Sequence, residues 1–111
     1  MELEAIQLCY TISKDVYTLA VSLDKRHRFG IGKRIEDDSR VLLSETLQTK
    51  YSSRPLKGQH LLRALVHLDI LRYDLRTMLE LGVGNATNIW KINEQIAEVG
   101  KMLGGWYKSV K

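Results

Sequence analysis

The chain has 111 residues, of which 44% are hydrophobic and 27% are charged, and its formal net charge is +4 at pH 7. This length is typical of one domain, and the composition excludes a disordered chain. No apolar run approaches the ~20 residues of a membrane-spanning helix, and the first residues lack the basic start of a signal peptide. We therefore predict one soluble, cytoplasmic domain, residues 1–111, that does not enter a membrane.

The first predicted helix covers about residues 3–23 and carries two apolar stripes. The first stripe consists of Cys9, Ile12, Val16, Leu19 and Leu23. The second consists of Leu3, Ile6, Tyr10, Tyr17 and Ala20. Together they are wider than the ~100° that a helix needs to face one core. The second stripe is therefore either bundle interior or an interface between subunits, and the sequence leaves both open.

A basic segment, residues 25–34, follows this helix. It contains no acidic residue and five cations: Lys25, Arg26, Arg28, Lys33 and Arg34. Gly30 and Gly32 allow backbone angles that other residues resist, so we expect them to end the first helix and make the segment a turn. The second predicted helix covers residues 31–51, with four apolar residues facing inward: Ile35, Leu42, Leu43 and Leu47. Its acidic residues at 36–38 either pair with the basic segment or leave it free for a partner.

The third predicted helix covers about residues 55–82 and holds the clearest pattern in the chain. Its apolar residues recur at alternating steps of three and four: Leu61, Ala64, Leu68, Leu71, Leu75 and Met78. This spacing is the seam of an antiparallel bundle or coiled coil. Ser53 fits the N-cap position, Pro55 suits the first turn, and Gly82 fits the C-cap.

The fourth predicted helix covers about residues 86–109, capped by Asn85 or Thr87. It keeps the same spacing without a gap: Ile89, Ile92, Ile96, Val99, Leu103, Trp106 and Val110. Gly100 and Gly104 each lower the stability of a helix interior by ~1 kcal/mol relative to alanine. Either another helix backbone approaches closely there, or the glycines loosen a fraying C-terminus. Four such helices with short connections predict an all-α protein, an up-down-up-down antiparallel four-helix bundle.

Residues that perform catalysis or bind metals are not grouped in the sequence. None of the three histidines, His27, His60 and His67, lies three or four residues from another. No nucleophile elbow or phosphate-binding loop occurs. Cys9 is the only cysteine, so no disulfide forms within the chain, and its place on an apolar stripe indicates a buried small side chain. We predict a protein that is not an enzyme and uses no metal or cofactor.

An arginine pair lies beside the seam of the third helix. Arg72 and Arg76 are four residues apart and therefore share a helix flank. Asp69 and Glu80 are spaced to neutralise them as ordinary surface ion pairs. Otherwise the guanidinium groups suit bidentate contact with a polyanion or an acidic protein surface. The basic segment is the second candidate for the same role, with nucleic-acid contacts made to phosphates and not to bases.

Three stretches resemble a known family. Residues 23–36, LDKRHRFGIGKRIE, resemble the basic connection between helices 1 and 2 of Avd, the accessory protein of diversity-generating retroelements. Residues 97–106, AEVGKMLGGW, resemble its last helix, and residues 71–76, LRYDLR, resemble its third helix. A departure is Asp24, where relatives often have proline. The wider set includes the ribosomal intervening-sequence proteins, which are also small four-helix bundles.

This resemblance implies a ring-shaped homopentamer of four-helix bundles with a basic surface. Such a protein binds the reverse transcriptase of the retroelement and nucleic acid (template RNA or cDNA), and supports mutagenic reverse transcription without catalytic activity of its own. It places Arg72 and Arg76 on the surface used for partner contact. Two alternatives remain: a bundle of the intervening-sequence type with another RNA-associated role, and a purely structural oligomer.

Overall fold

A computed structural model of the chain describes residues 2–111. It contains four long helices: α1 (Glu2–Val21), α2 (Lys33–Tyr51), α3 (Arg54–Leu81) and α4 (Ala86–Val110). Each helix packs against two others, α1 and α3 both lying between α2 and α4, in a rod of 43 × 21 × 19 Å. The predicted up-down-up-down four-helix bundle is confirmed for one copy of the chain. Across the described range, no helix is both long and apolar enough to span a bilayer.

The predicted seams of the first, third and fourth helices form the core. All six seam residues of α3 are buried, as are those of α4 except Val110, which is half-buried. In α1, Cys9, Ile12, Val16 and Leu19 are buried, and Leu23 packs half-buried beyond the helix end. A fully buried side chain of this size contributes ~1.5–3 kcal/mol. These three rows are therefore the main source of stability.

The prediction for α2 was wrong at Leu47, which is 37% exposed, while Leu43 is only half-buried. Small hydroxyl residues occupy the inward positions instead: Ser39, Thr46 and Thr49. Each hydroxyl donates a hydrogen bond to a carbonyl three or four residues earlier in the same helix, at 2.7 to 2.9 Å. Burial therefore costs little, because these polar atoms are paired. Ile35 and Leu42 are buried as predicted.

The second stripe of α1 does not lie in the interior of the bundle. Leu3, Tyr10 and Tyr17 are more than half exposed, and of this stripe only Ala20 is fully buried. The alternative that the whole stripe faces the core is therefore wrong. An interface with another subunit remains a prediction.

The connection between α1 and α2 also differs from the prediction. Helix α1 ends at Val21, before the glycines, and the basic segment is largely helical and not a turn. One α-helical turn, Lys25–His27, is followed by residues 28–32, which kink at Gly30 (φ −100°, ψ −105°) before α2 begins, so the expected unusual backbone angles are found at Gly30. Asp24 caps the first of these turns, since its side chain accepts a hydrogen bond from the His27 N–H at 3.0 Å. A side-chain acceptor at the N-cap position stabilises the first turn of a helix, which explains why residues 25–27 are helical.

The caps of α3 and α4 are confirmed. Ser53 takes the extended N-cap conformation, although its side chain makes no capping bond, and Pro55 lies in the first turn. Gly82 ends α3 in the left-handed conformation, with φ 68°. Asn85 caps α4 by accepting the Asn88 N–H at 3.0 Å.

The expected close approach of another helix backbone at the α4 glycines was wrong. A Cβ on Gly100 would lie 3.4 Å from a Leu68 methyl group of α3, an ordinary side-chain contact. A Cβ on Gly104 would meet nothing within 4 Å. The fraying alternative stays a prediction, with α4 helical through both glycines to Val110.

Two glycines give a matched prediction for stability. We expect Gly84→Ala to lower the free energy of unfolding by about 1–2 kcal/mol, because Gly84 has φ 83° and a Cβ would lie 3.0 Å from the Met78 methyl group. We expect Gly104→Ala to raise it by about 1 kcal/mol, because that position is helical and open. Urea denaturation of both variants measures the two changes. A loss at Gly104 would contradict the open position.

Candidate partner-binding surface

The arginine pair forms an edge on α3. Arg72 Nη1 lies 3.2 Å from Asp69 Oδ1, and Arg76 Nε lies 3.0 Å from Glu80 Oε2. The arginine side chains are 52% and 69% exposed, so these are surface ion pairs. Such pairs contribute ~0–1 kcal/mol, which means that a partner can displace the carboxylates at small cost. The two arginines, Asp69 and the exposed Tyr73 line a depression of about 200 Å³. We call this surface the arginine edge.

Three cations of the basic segment form no ion pair. Lys25, Arg26 and Arg28 are exposed and form no ion pair with any residue of the range 2–111. Phe29 beside them is 67% exposed, with the Arg28 guanidinium 5.7 Å from the centre of its ring. The segment therefore presents three free positive charges and an aromatic ring.

The other two cations of the basic segment are paired. Lys33 Nζ lies 3.0 Å from Asp37 Oδ1 one turn on, and Arg34 Nη2 lies 3.3 Å from Asp74 Oδ1 of α3. Pairing of the basic segment with the acids at 36–38 is thus confirmed for Asp37 alone. Asp38 instead accepts a hydrogen bond from His67 Nδ1, at 2.9 Å.

The Arg34–Asp74 contact joins the last residue of the basic segment to α3. Asp74 lies between Arg72 and Arg76 in sequence but faces α2. Arg72 lies on the other flank, where its Nη2 atom is 4.0 Å from the position of a Cβ on Gly100 of α4. Arg34 of the basic segment and Arg72 of the arginine edge therefore lie on opposite flanks of α3.

Two histidine–carboxylate pairs join α2 to α3 and were missed from the sequence. His60 Nδ1 lies 2.7 Å from Glu45 Oε1, and His67 Nδ1 lies 2.9 Å from Asp38 Oδ1. Both pairs are largely shielded from solvent. Among residues 2–111, no three histidine, cysteine or acidic side chains are grouped as ligands for one metal ion. The two histidine–carboxylate pairs connect α2 to α3.

Cys9 is the only thiol of the sequence, and it lies in the core. The pKa of its thiol is raised to about 11, because burial raises it by more than the hydrogen bond with Thr46, at 3.5 Å, lowers it. The thiolate is the reactive form of cysteine, and little of it is present near neutral pH at this pKa. Cys9 therefore packs as a small apolar residue, as its position on the first stripe predicted.

Comparisons with known protein families and with curated proteins give no match for this chain. Two features therefore bear on function: the geometry of the basic segment and the arginine edge, and the resemblance of three stretches of sequence. The first is a property of the folded chain. The second names a class of partner.

Proposed function

We propose that this chain is the non-catalytic accessory subunit of a diversity-generating retroelement, which holds a reverse transcriptase and nucleic acid during mutagenic reverse transcription. The resemblance of residues 23–36, 71–76 and 97–106 to Avd supports it, and the four-helix bundle is the fold that this resemblance implies. The observation that carries the proposal is the presence of two exposed cationic surfaces, the basic segment with its free cations and the arginine edge.

The nucleic-acid partner is assigned to the basic segment. Its free cations, Lys25, Arg26 and Arg28, can each take up a phosphate without first breaking an ion pair. Phosphate contacts release condensed counterions and dominate affinity for RNA or DNA. The ring of Phe29 adds a surface on which an unpaired base can stack.

The reverse transcriptase is assigned to the arginine edge. Arg72 and Arg76 are already neutralised by Asp69 and Glu80, so this edge attracts a polyanion less than the basic segment does. Arginine beside an exposed tyrosine is instead the composition enriched at protein interfaces. An acidic side chain of the polymerase can replace either carboxylate and take a bidentate bond.

The proposed subunit is a homo-oligomer, a pentameric ring by the resemblance. The outer face of α3 carries an exposed apolar row that a second copy would bury: Leu62, Val66 and Ile70, which are 47%, 56% and 41% exposed. Exposed apolar rows of this kind mark protein interfaces. This row also favours a second candidate function, a purely structural oligomer without a polymerase partner. The pairing of Arg72 and Arg76 with Asp69 and Glu80 favours it too, because it reduces the attraction of the arginine edge for an acidic partner.

A capture experiment separates the two functions. We expect the double variant Arg72→Ala/Arg76→Ala to retain about a tenth or less of the polymerase that the unaltered chain captures with its template RNA. Helix content and thermal unfolding are expected to stay the same, because the lost ion pairs contribute little.

The matched control is Lys101→Ala/Lys108→Ala, which removes the same charge from exposed positions of α4. Its capture is expected to equal that of the unaltered chain. Equal capture by the arginine variant would sink the assignment of the polymerase to this edge. No capture by the unaltered chain would favour the structural oligomer.

A further inference from the structure

A groove between α1 and α2 lies outside both surfaces described above. Its volume is about 290 Å³, and its walls combine two tyrosines, Tyr10 and Tyr17, with two cations, Lys14 and Arg40. The one acidic residue of its lining is Glu36. The groove shares no residue with the basic segment or the arginine edge, so its rings and cations form a separate surface.

The two tyrosine rings lie on one face of α1. They are seven residues apart, two helical turns or ~10 Å along the axis. Their side chains are 57% and 56% exposed, so most of each ring is uncovered in a single copy of the chain. These are the members of the second stripe that sequence periodicity indicated but the core does not use.

The cations alternate with the rings along the groove. Lys14 lies between the two tyrosines in sequence, and Arg40 faces them from α2. Both are exposed, and neither forms an ion pair with another residue of the described part of the chain.

We propose that this groove binds single-stranded nucleic acid, with bases stacked on Tyr10 and Tyr17 and phosphates on Lys14 and Arg40. Rings interleaved with cations are the arrangement by which proteins hold single strands without reading their sequence. A duplex is excluded from this mode, because its bases already stack on one another. The inference rests on the proposed function in one respect, the nucleic-acid partner, and names how that partner is held.

Binding of a labelled single-stranded oligouridylate, measured by fluorescence anisotropy with the full chain, tests the role of the rings. Tyr10→Leu/Tyr17→Leu is expected to weaken binding about tenfold or more, since it removes two stacking surfaces. Tyr10→Phe/Tyr17→Phe keeps the rings and is expected to bind within about twofold of the unaltered chain. The control is Trp90→Leu, an exposed ring on α4 outside the groove, with unchanged affinity expected.

The role of the cations is read from the salt dependence. Lys14→Gln/Arg40→Gln is expected to lower the slope of log affinity against log salt by about 1.4, because each phosphate contact on a single strand contributes about 0.7. Ultraviolet crosslinking gives an independent location for the strand. Crosslinks are expected at Tyr10 and Tyr17, which trypsin places on separate peptides by cleavage after Lys14.

Leucine retains apolar area, so the leucine variant also tests a contact between subunits. Unchanged affinity for the oligonucleotide would overturn the proposal, and a changed oligomer size with unchanged affinity would identify a subunit interface instead. Failure of the proposed function is separate from these outcomes. In that case the groove variants lose affinity for the oligonucleotide as expected, while the unaltered chain captures no polymerase.

Discussion

Replacing Leu71 by alanine is expected to lower the free energy of unfolding by about 2–5 kcal/mol. Leu71 is fully buried at the middle of the α3 seam, and α3 packs against both α2 and α4. Truncation removes its transfer free energy and leaves a cavity that the neighbouring helices fill only in part. A domain of this kind has about 5–15 kcal/mol of stability in total, so the loss is a large share. Urea denaturation followed by helical circular dichroism measures it.

Leu56 on the same helix is the matched control. It is 47% exposed and lies outside the row of Leu62, Val66 and Ile70, so Leu56→Ala is expected to change the free energy of unfolding by about 0.5 kcal/mol or less. Both substitutions remove the same atoms from the same helix and differ only in burial. Similar losses for the two variants would contradict the separation of α3 into a buried seam and an exposed surface.

The seams of α3 and α4 could be predicted from the sequence because large aliphatic residues fill them almost without exception. Leucine and isoleucine at steps of three and four leave a helix few other ways to pack. The seam of α2 follows the same steps only if hydroxyl residues are admitted: Ile35, Ser39, Leu42, Thr46 and Thr49. Serine and threonine are mostly exposed in folded proteins. The choice of Leu47 in their place was therefore wrong.

The candidate site shows a second limit of sequence analysis. The cations themselves are visible in the sequence, and pairs within one helix, such as Arg76 with Glu80, follow from their spacing. The partner of Arg34 is Asp74, 40 residues away, and only the packing of α2 against α3 brings them together. The same holds for His60 with Glu45. The division of the basic segment into free and paired cations therefore required the fold.

That division leads to the second large effect. We expect Lys25→Gln/Arg26→Gln/Arg28→Gln to weaken binding of single-stranded RNA by one to two orders of magnitude at about 0.15 M salt. Three lost phosphate contacts at about 0.7 each lower the salt slope by about 2, and this sets the size of the effect. Glutamine is a good helix former, and the Asp24 cap is retained, so the segment is expected to keep its helical turns.

The comparison variant is Lys33→Gln/Arg34→Gln in the same segment. These two cations are held by Asp37 and Asp74, so each must leave a carboxylate before it meets a phosphate. The slope of log affinity against log salt is therefore expected to change less for each of these two substituted cations than for each of the three free ones. Titrations of labelled RNA across a range of salt concentrations measure both slopes. Equal slopes per charge would show that intramolecular pairing does not select the nucleic-acid contacts, and the assignment of RNA to the free cations would then fail.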